Sequence, residues 1–141
     1  MRDNLLKACK MLKKGGYTCV LTDGKNICTS VERGVKPLLS WIDSGVDFRG
    51  YCAADKVIGK AAAFLYVLLG VSDVYADVIS TAAIEVFENY GIEYWYSVET
   101  DMIINRTNTG PCPMEHAVRD VTSPDAAHAV IRQTLKKLTA G

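Results

Sequence analysis

The run from Gly59 to Leu69 constrains this chain more than any other, because apart from Lys60 it is apolar nearly all the way round. A helix without a polar face is stable only when protein covers it on every side. Runs with strand character flank it, Tyr51 to Val57 before and Asp73 to Ile79 after, and Gly70 closes it. The unit then repeats: Ser80 reads as an N-cap, Thr81 to Tyr90 as a helix, Gly91 as its C-cap and Ile92 to Val98 as the next strand. Strands alternating with helices of this length imply right-handed crossovers and a largely parallel sheet.

The N-terminal half adds a different opening. Leu5, Leu6, Cys9 and Leu12 recur at helical spacing, with Lys7, Lys10, Lys13 and Lys14 on the other face and Gly15-Gly16 as the stop. That lysine face reads as solvated, with an anionic partner as the alternative. Tyr17 to Thr22 and Ile27 to Ser30 flank Asp23-Gly24, a hairpin signal because both turn positions favour positive φ. Gly34 to Asp43 reads as a helix that tolerates Pro37 in its first turn.

In the tail, Met102 to Asn105 reads as a short strand and Arg106 to Pro111 as a loop. Pro113 opens a short helix with Cys112 as N-cap, and Ser123-Pro124-Asp125 starts a final helix ending near Lys136 and Lys137. The expectation is one domain over residues 1–141: a three-layer α/β/α sandwich around a mixed sheet of about five strands with an opening β-hairpin.

Sixteen basic and sixteen acidic side chains cancel, which argues against a nucleic-acid or anionic-membrane partner. No run approaches the roughly 20 apolar residues of a membrane span. The first residues lead into a lysine-bearing helix rather than a signal peptide, so a cytoplasmic location is expected. Five scattered cysteines (Cys9, Cys19, Cys28, Cys52 and Cys112) without a CxxC pair argue against disulfides or a zinc ribbon, and most read as small buried hydrophobes.

Two segments concentrate chemistry. In the first, "DKVIGKAAA" over 55–63, a strand presents Asp55 and Lys56 before Gly59 opens the apolar helix. Such junctions bind ligands in open α/β sheets, and the helix's first N–H groups attract anions. Gly59 would admit an anion to the backbone, Lys60 would add charge, and Asp55 and Lys56 would orient it. Close helix–sheet packing with two surface charges is the alternative. The segment is not a P-loop, since Ala54 and Ala61 stand where that motif needs glycine and a hydroxyl.

The second segment, "NRTNTGPCPMEHAV" over 105–118, gathers Asn105, Arg106, Cys112, Glu115 and His116. A cysteine at a helix start has its thiolate favoured by the dipole, which marks Cys112. Glu115 stands at capping-box distance and could bond back to the Cys112 N–H. A polar loop closed by two prolines is the alternative. Cys112 and His116 are four apart, with Cys52 or Glu115 as a third ligand at best, so no metal site and no cofactor is expected.

Together these two motifs resemble the small prokaryotic family known as domain of unknown function 1893, over essentially the whole chain. The resemblance implies a cytidine-deaminase-like fold, which agrees with the element order above. It does not bring that superfamily's zinc site. Zinc deaminases require H-x-E or C-x-E on one helix and P-C-x-x-C on the next. His116 is followed by Ala117-Val118 and His128 by Ala129-Val130, while Cys9, Cys19, Cys28 and Cys52 lack a glutamate two residues on. Pro111-Cys112 begins the second motif, but Glu115 replaces its second cysteine.

The functional expectation is a metal-free enzyme or binding domain for a small anionic, nucleotide-like molecule. Gly59, Lys60, Asp55, Asn105 and Arg106 would bind it, and Lys56, Cys112 and Glu115 would do chemistry. The alternative is a non-catalytic interaction or regulatory domain that self-associates through Tyr94-Trp95-Tyr96 as a homo-oligomer.

Overall fold

The computed structural model describes residues 1–104 and 112–140. The described elements, in chain order, are α1 (Asp3–Gly15), β1 (Cys19–Thr22), β2 (Ile27–Ser30), α2 (Lys36–Asp43), β3 (Cys52–Ile58), α3 (Lys60–Leu69), β4 (Asp73–Ser80), α4 (Thr81–Tyr90), β5 (Glu93–Thr100), α5 (Pro113–Val118) and α6 (Pro124–Ala140). Helix α3 is the apolar run, and Ala61, Ala62, Ala63, Phe64, Leu65, Tyr66 and Leu69 are all buried. Strand β3 and helices α2, α4, α5 and α6 surround it. Burying a side chain the size of Phe64 or Leu65 stabilises the fold by about 1.5–3 kcal/mol.

The five strands form one mixed sheet in the order β2-β1-β3-β4-β5. Strand β1 runs antiparallel to both β2 and β3, whereas β3, β4 and β5 are parallel. Alternation along the strands divides the core in two. Cys19, Leu21, Ala53, Val74 and Ala76 point to the α3 side, and Val20, Cys52, Ala54 and Tyr75 point to α1. Helix α1 lies alone on its face, while α2 to α6 build up the other.

Local signals act largely as their chemistry requires. The Ser80 hydroxyl accepts the Ala83 N–H at 3.1 Å, and Gly91 ends α4 at φ 72°. Three expectations are corrected. The hairpin forms with Thr22 paired to Ile27 as read, but its turn spans the four residues 23–26 rather than resting on Asp23-Gly24 alone. Asp23 acts there through its carboxylate, which accepts the N–H groups of Lys25 (2.9 Å) and Asn26 (2.7 Å), while Gly24 takes φ 99°. On α1, Ala8 joins Leu5, Cys9 and Leu12 in the core, and Leu6 lies 44% exposed beside them. The strand read at 102–105 is an isolated bridge at Ile104 over its described part. Among the described residues, no helix is long and apolar enough to cross a membrane.

Candidate functional site

Strand β1 begins at Cys19, opposite Asp55 of β3, so β3 loses its neighbour on that side just past Asp55. The last bond there runs from the Lys56 N–H to the Thr18 carbonyl at 3.1 Å. A cleft of about 570 Å³ opens at this point. Asp55 and Lys56 line it from β3, Thr18 from just before β1, Val35 and Leu38 from the start of α2 and the residue before it, Ala61 and Ala62 from α3, and Cys112, Met114 and Glu115 from the α5 segment. Asp55, Lys56, Gly59, Cys112 and Glu115, which sequence reading divided between two segments, therefore meet at one cleft.

Asp55 is half-buried on the α3 side of the sheet. Its Oδ2 accepts the Tyr66 hydroxyl at 2.6 Å and its Oδ1 accepts the Val57 N–H at 3.3 Å. The same phenol oxygen lies 3.0 Å from the Cys19 Sγ, so carboxyl, phenol and thiol form one chain beneath the cleft. Burial pushes the Asp55 carboxyl up to about 6, against the downward pull of the hydrogen bonds from Tyr66 and Val57. Burial, then the nearby Asp55 charge, raises the Tyr66 phenol and the Cys19 thiol well above their ordinary ranges. Both stay neutral at physiological pH, which makes the phenol a donor to the carboxylate. Sequence reading missed Tyr66 and Cys19. The one available signal was a tyrosine inside a helix that is otherwise apolar after Lys60, since a buried phenol must find a partner.

The start of α3 departs from expectation. Its first N–H groups do not await an outside anion: the Glu115 carboxylate accepts those of Lys60 (2.5 Å) and Ala61 (2.9 Å). Gly59 makes room for that carboxylate, because a Cβ there would stand 2.3 Å from Glu115 Oε1. Lys60 turns its Nζ to the Arg119 carbonyl at 2.9 Å, at the far end of α5. Gly59, Lys60 and Glu115 thus join α5 to α3. The capping box within α5 is likewise replaced, since the Cys112 N–H donates to the Ile103 carbonyl at 2.9 Å. Burial raises the Glu115 carboxyl, and the N–H groups of Ala61 and Lys60 oppose the rise.

Cys112 precedes α5 without a side-chain cap bond, and its half-buried thiol packs against the core. Lys56 is exposed at the mouth of the cleft, as is Arg33 from the segment before α2. Asn105 and Arg106 lie outside the described residues. Among the described residues, no group of three or more His, Cys, Asp or Glu side chains is placed to hold a metal ion.

The family model described as domain of unknown function (DUF1893) matches residues 7–135. The crystal structure of a DUF1893 family protein from Thermotoga maritima superposes with a TM-score of 0.85 at 27% identity, covering 97% of this chain and 92% of that one. No curated protein matches the sequence. With the family model spanning most of the chain and a solved member sharing the whole fold, the chain belongs to the DUF1893 family.

Proposed function

We propose that the cleft binds a small anionic, nucleotide-like molecule and that Asp55 exchanges a proton with it, on a cytidine-deaminase-like frame that works without zinc. The observation that carries this reading is a carboxyl raised to about 6, half-buried on the floor of a cleft of about 570 Å³. A general base is most effective when its pKa lies near the working pH, and sites of this shape are the usual place for such groups. At pH 7 about nine-tenths of a group titrating near 6 is ionised, so Asp55 accepts a proton or an N–H or O–H donor from the ligand.

Tyr66 holds the carboxylate at a fixed angle and leaves its cleft side to the ligand. The apolar walls from Val35, Leu38, Ala61, Ala62 and Met114 suit a ring. With the α3 start occupied by Glu115, the anionic group of the ligand goes to the mouth, where Lys56 and Arg33 stand exposed. Cys112 bounds the roof, within reach of the bound molecule. The deaminase-like frame is supported by the order of helix, hairpin and crossover units.

A thermal-shift screen of nucleosides, nucleotides and sugar phosphates tests the reading. At least one compound is expected to raise Tm at pH 7, with the shift abolished in Asp55→Asn and reduced in Lys56→Ala. A panel without a single shift, or a shift that both variants retain, defeats the proposal.

A further inference from the structure

The two faces of the sheet are unequally covered. Helices α2 to α6 build up one side, and α1 alone covers the other, packing on β1, β3 and the near edge of β4. On the α1 side of β5, Trp95 packs against the α1 cluster, and among the described residues no helix makes more than marginal contact with the strand there. Alternation and pairing put Tyr75 and Asp77 of β4, with Glu93, Trp95 and Ser97 of β5, on that open side. Tyr94 and Tyr96 point the other way, where Tyr94 stacks on Phe87 of α4. Because Tyr75 is itself buried under α1, the open floor is β5 with the outer part of β4, and it forms a trough running beside α1.

Each side of the trough carries a distinct charge. Its wall is the flank of α1 that faces β4, where Lys13 places its Nζ 5.7 Å from the Tyr75 ring centre and Leu6 is 44% exposed. Lys7, Lys10 and Lys14 extend that helix surface as exposed cations, with Asp3 the one acidic residue of α1. The floor carries half-buried Trp95 between the carboxylates of Asp77 and Glu93. Among the described residues, none of these four lysines forms an ion pair, and neither do Asp77 and Glu93. At the start of α1 the same complementarity is satisfied within the chain, where Arg2 pairs with buried Asp73 of β4 at 2.5 Å.

We propose that a second copy of this chain fills the trough, its α1 helix lying antiparallel beside the first. A basic helix and an acidic, aromatic floor on one molecule form a self-complementary surface, and a two-fold axis then satisfies both troughs and closes the assembly. Leu6 of each copy packs near the axis and covers Trp95. The lysines of one α1 lie over Asp77 and Glu93 of the other copy, which offsets the repulsion between the two basic helices. The interface is separate from the Asp55 cleft, which lies on the opposite face of the sheet.

Sedimentation of the full chain over concentrations up to about 100 µM reads this directly. The wild type is expected to be a dimer that weakens with added salt. Leu6→Glu and Lys10→Glu are each expected to raise the dimer Kd at least about tenfold, and Glu93→Lys to restore association to the Lys10→Glu chain. Both primary substitutions lie on the exposed surface of the monomer, and circular dichroism checks their folding. Hydrogen exchange of the unaltered chain provides a measure free of mutation: α1 and β5 are expected to gain protection as concentration rises. A monomeric wild type, or a dimer indifferent to both substitutions with no added protection in α1 and β5, overturns the proposal.

Discussion

Asp55 occupies a position that raises its affinity for a proton, and the consequence for stability has a definite sign. Its ordinary value is 3.8, and burial carries it to about 6 in the folded chain. The native state therefore binds this proton more tightly than the unfolded chain. Stability from this group is fully present below about pH 4, falls as pH rises to about 6, and is level beyond that. The full interval corresponds to about 3 kcal/mol, which partial solvent access reduces to roughly 1–2 kcal/mol. Asp55→Asn is expected to be more stable than wild type by about that amount at pH 7 and equal to it near pH 4, by urea unfolding. A difference independent of pH contradicts the assignment. Tyr66→Phe removes a hydrogen bond that favours the ionised carboxylate and takes the phenol partner away from the Cys19 thiol. It is expected to lose about 1 kcal/mol and to move the Asp55 titration upward, as read by carboxyl NMR. Asp55 was legible in the sequence as a charge ahead of a glycine-opened helix. The chain from Tyr66 to Cys19 was not, because 47 residues separate those two and only the sheet brings them together.

At the scale of elements, the junction between β3 and α3 shows what a local reading can and cannot supply. The sequence marks both Gly59 and Glu115, but local spacing assigns each a neighbour close in sequence or an outside ligand. The actual partners are 55 residues apart for Glu115 and Lys60, and a capping rule that counts three residues along one helix has no means of finding them. Gly59 takes φ −100°, open to any residue, so its small size matters here rather than its conformational freedom. In Gly59→Ala the added methyl displaces the Glu115 carboxylate from two N–H groups. The expected loss is about 1–2 kcal/mol, falling clearly in a Glu115→Ala background where the cap is already gone. Equal losses in the two backgrounds, measured by denaturant unfolding, contradict the coupling.

On the scale of the whole molecule, the sequence made the element order plain. An all-round apolar helix between two strands required cover on every side, and the hairpin ahead of it made the sheet mixed. The uneven cover of that sheet was harder to read. Tyr94, Trp95 and Tyr96 formed one aromatic run in sequence, and the pleat divides them between opposite faces with different surroundings. Strand alternation could have separated them, but only the placement of α1 shows which face stays open. The two proposed roles then fall on opposite faces, the proposed ligand cleft on the α3 side and the proposed self-association surface on the α1 side. The central claim concerns the cleft, and a site-resolved NMR titration of the Asp55 carboxyl carbon in the intact protein tests it most directly. The expected midpoint is about 6. A midpoint at the ordinary 3.8 would contradict the account, because Asp55 would then be one more surface carboxylate.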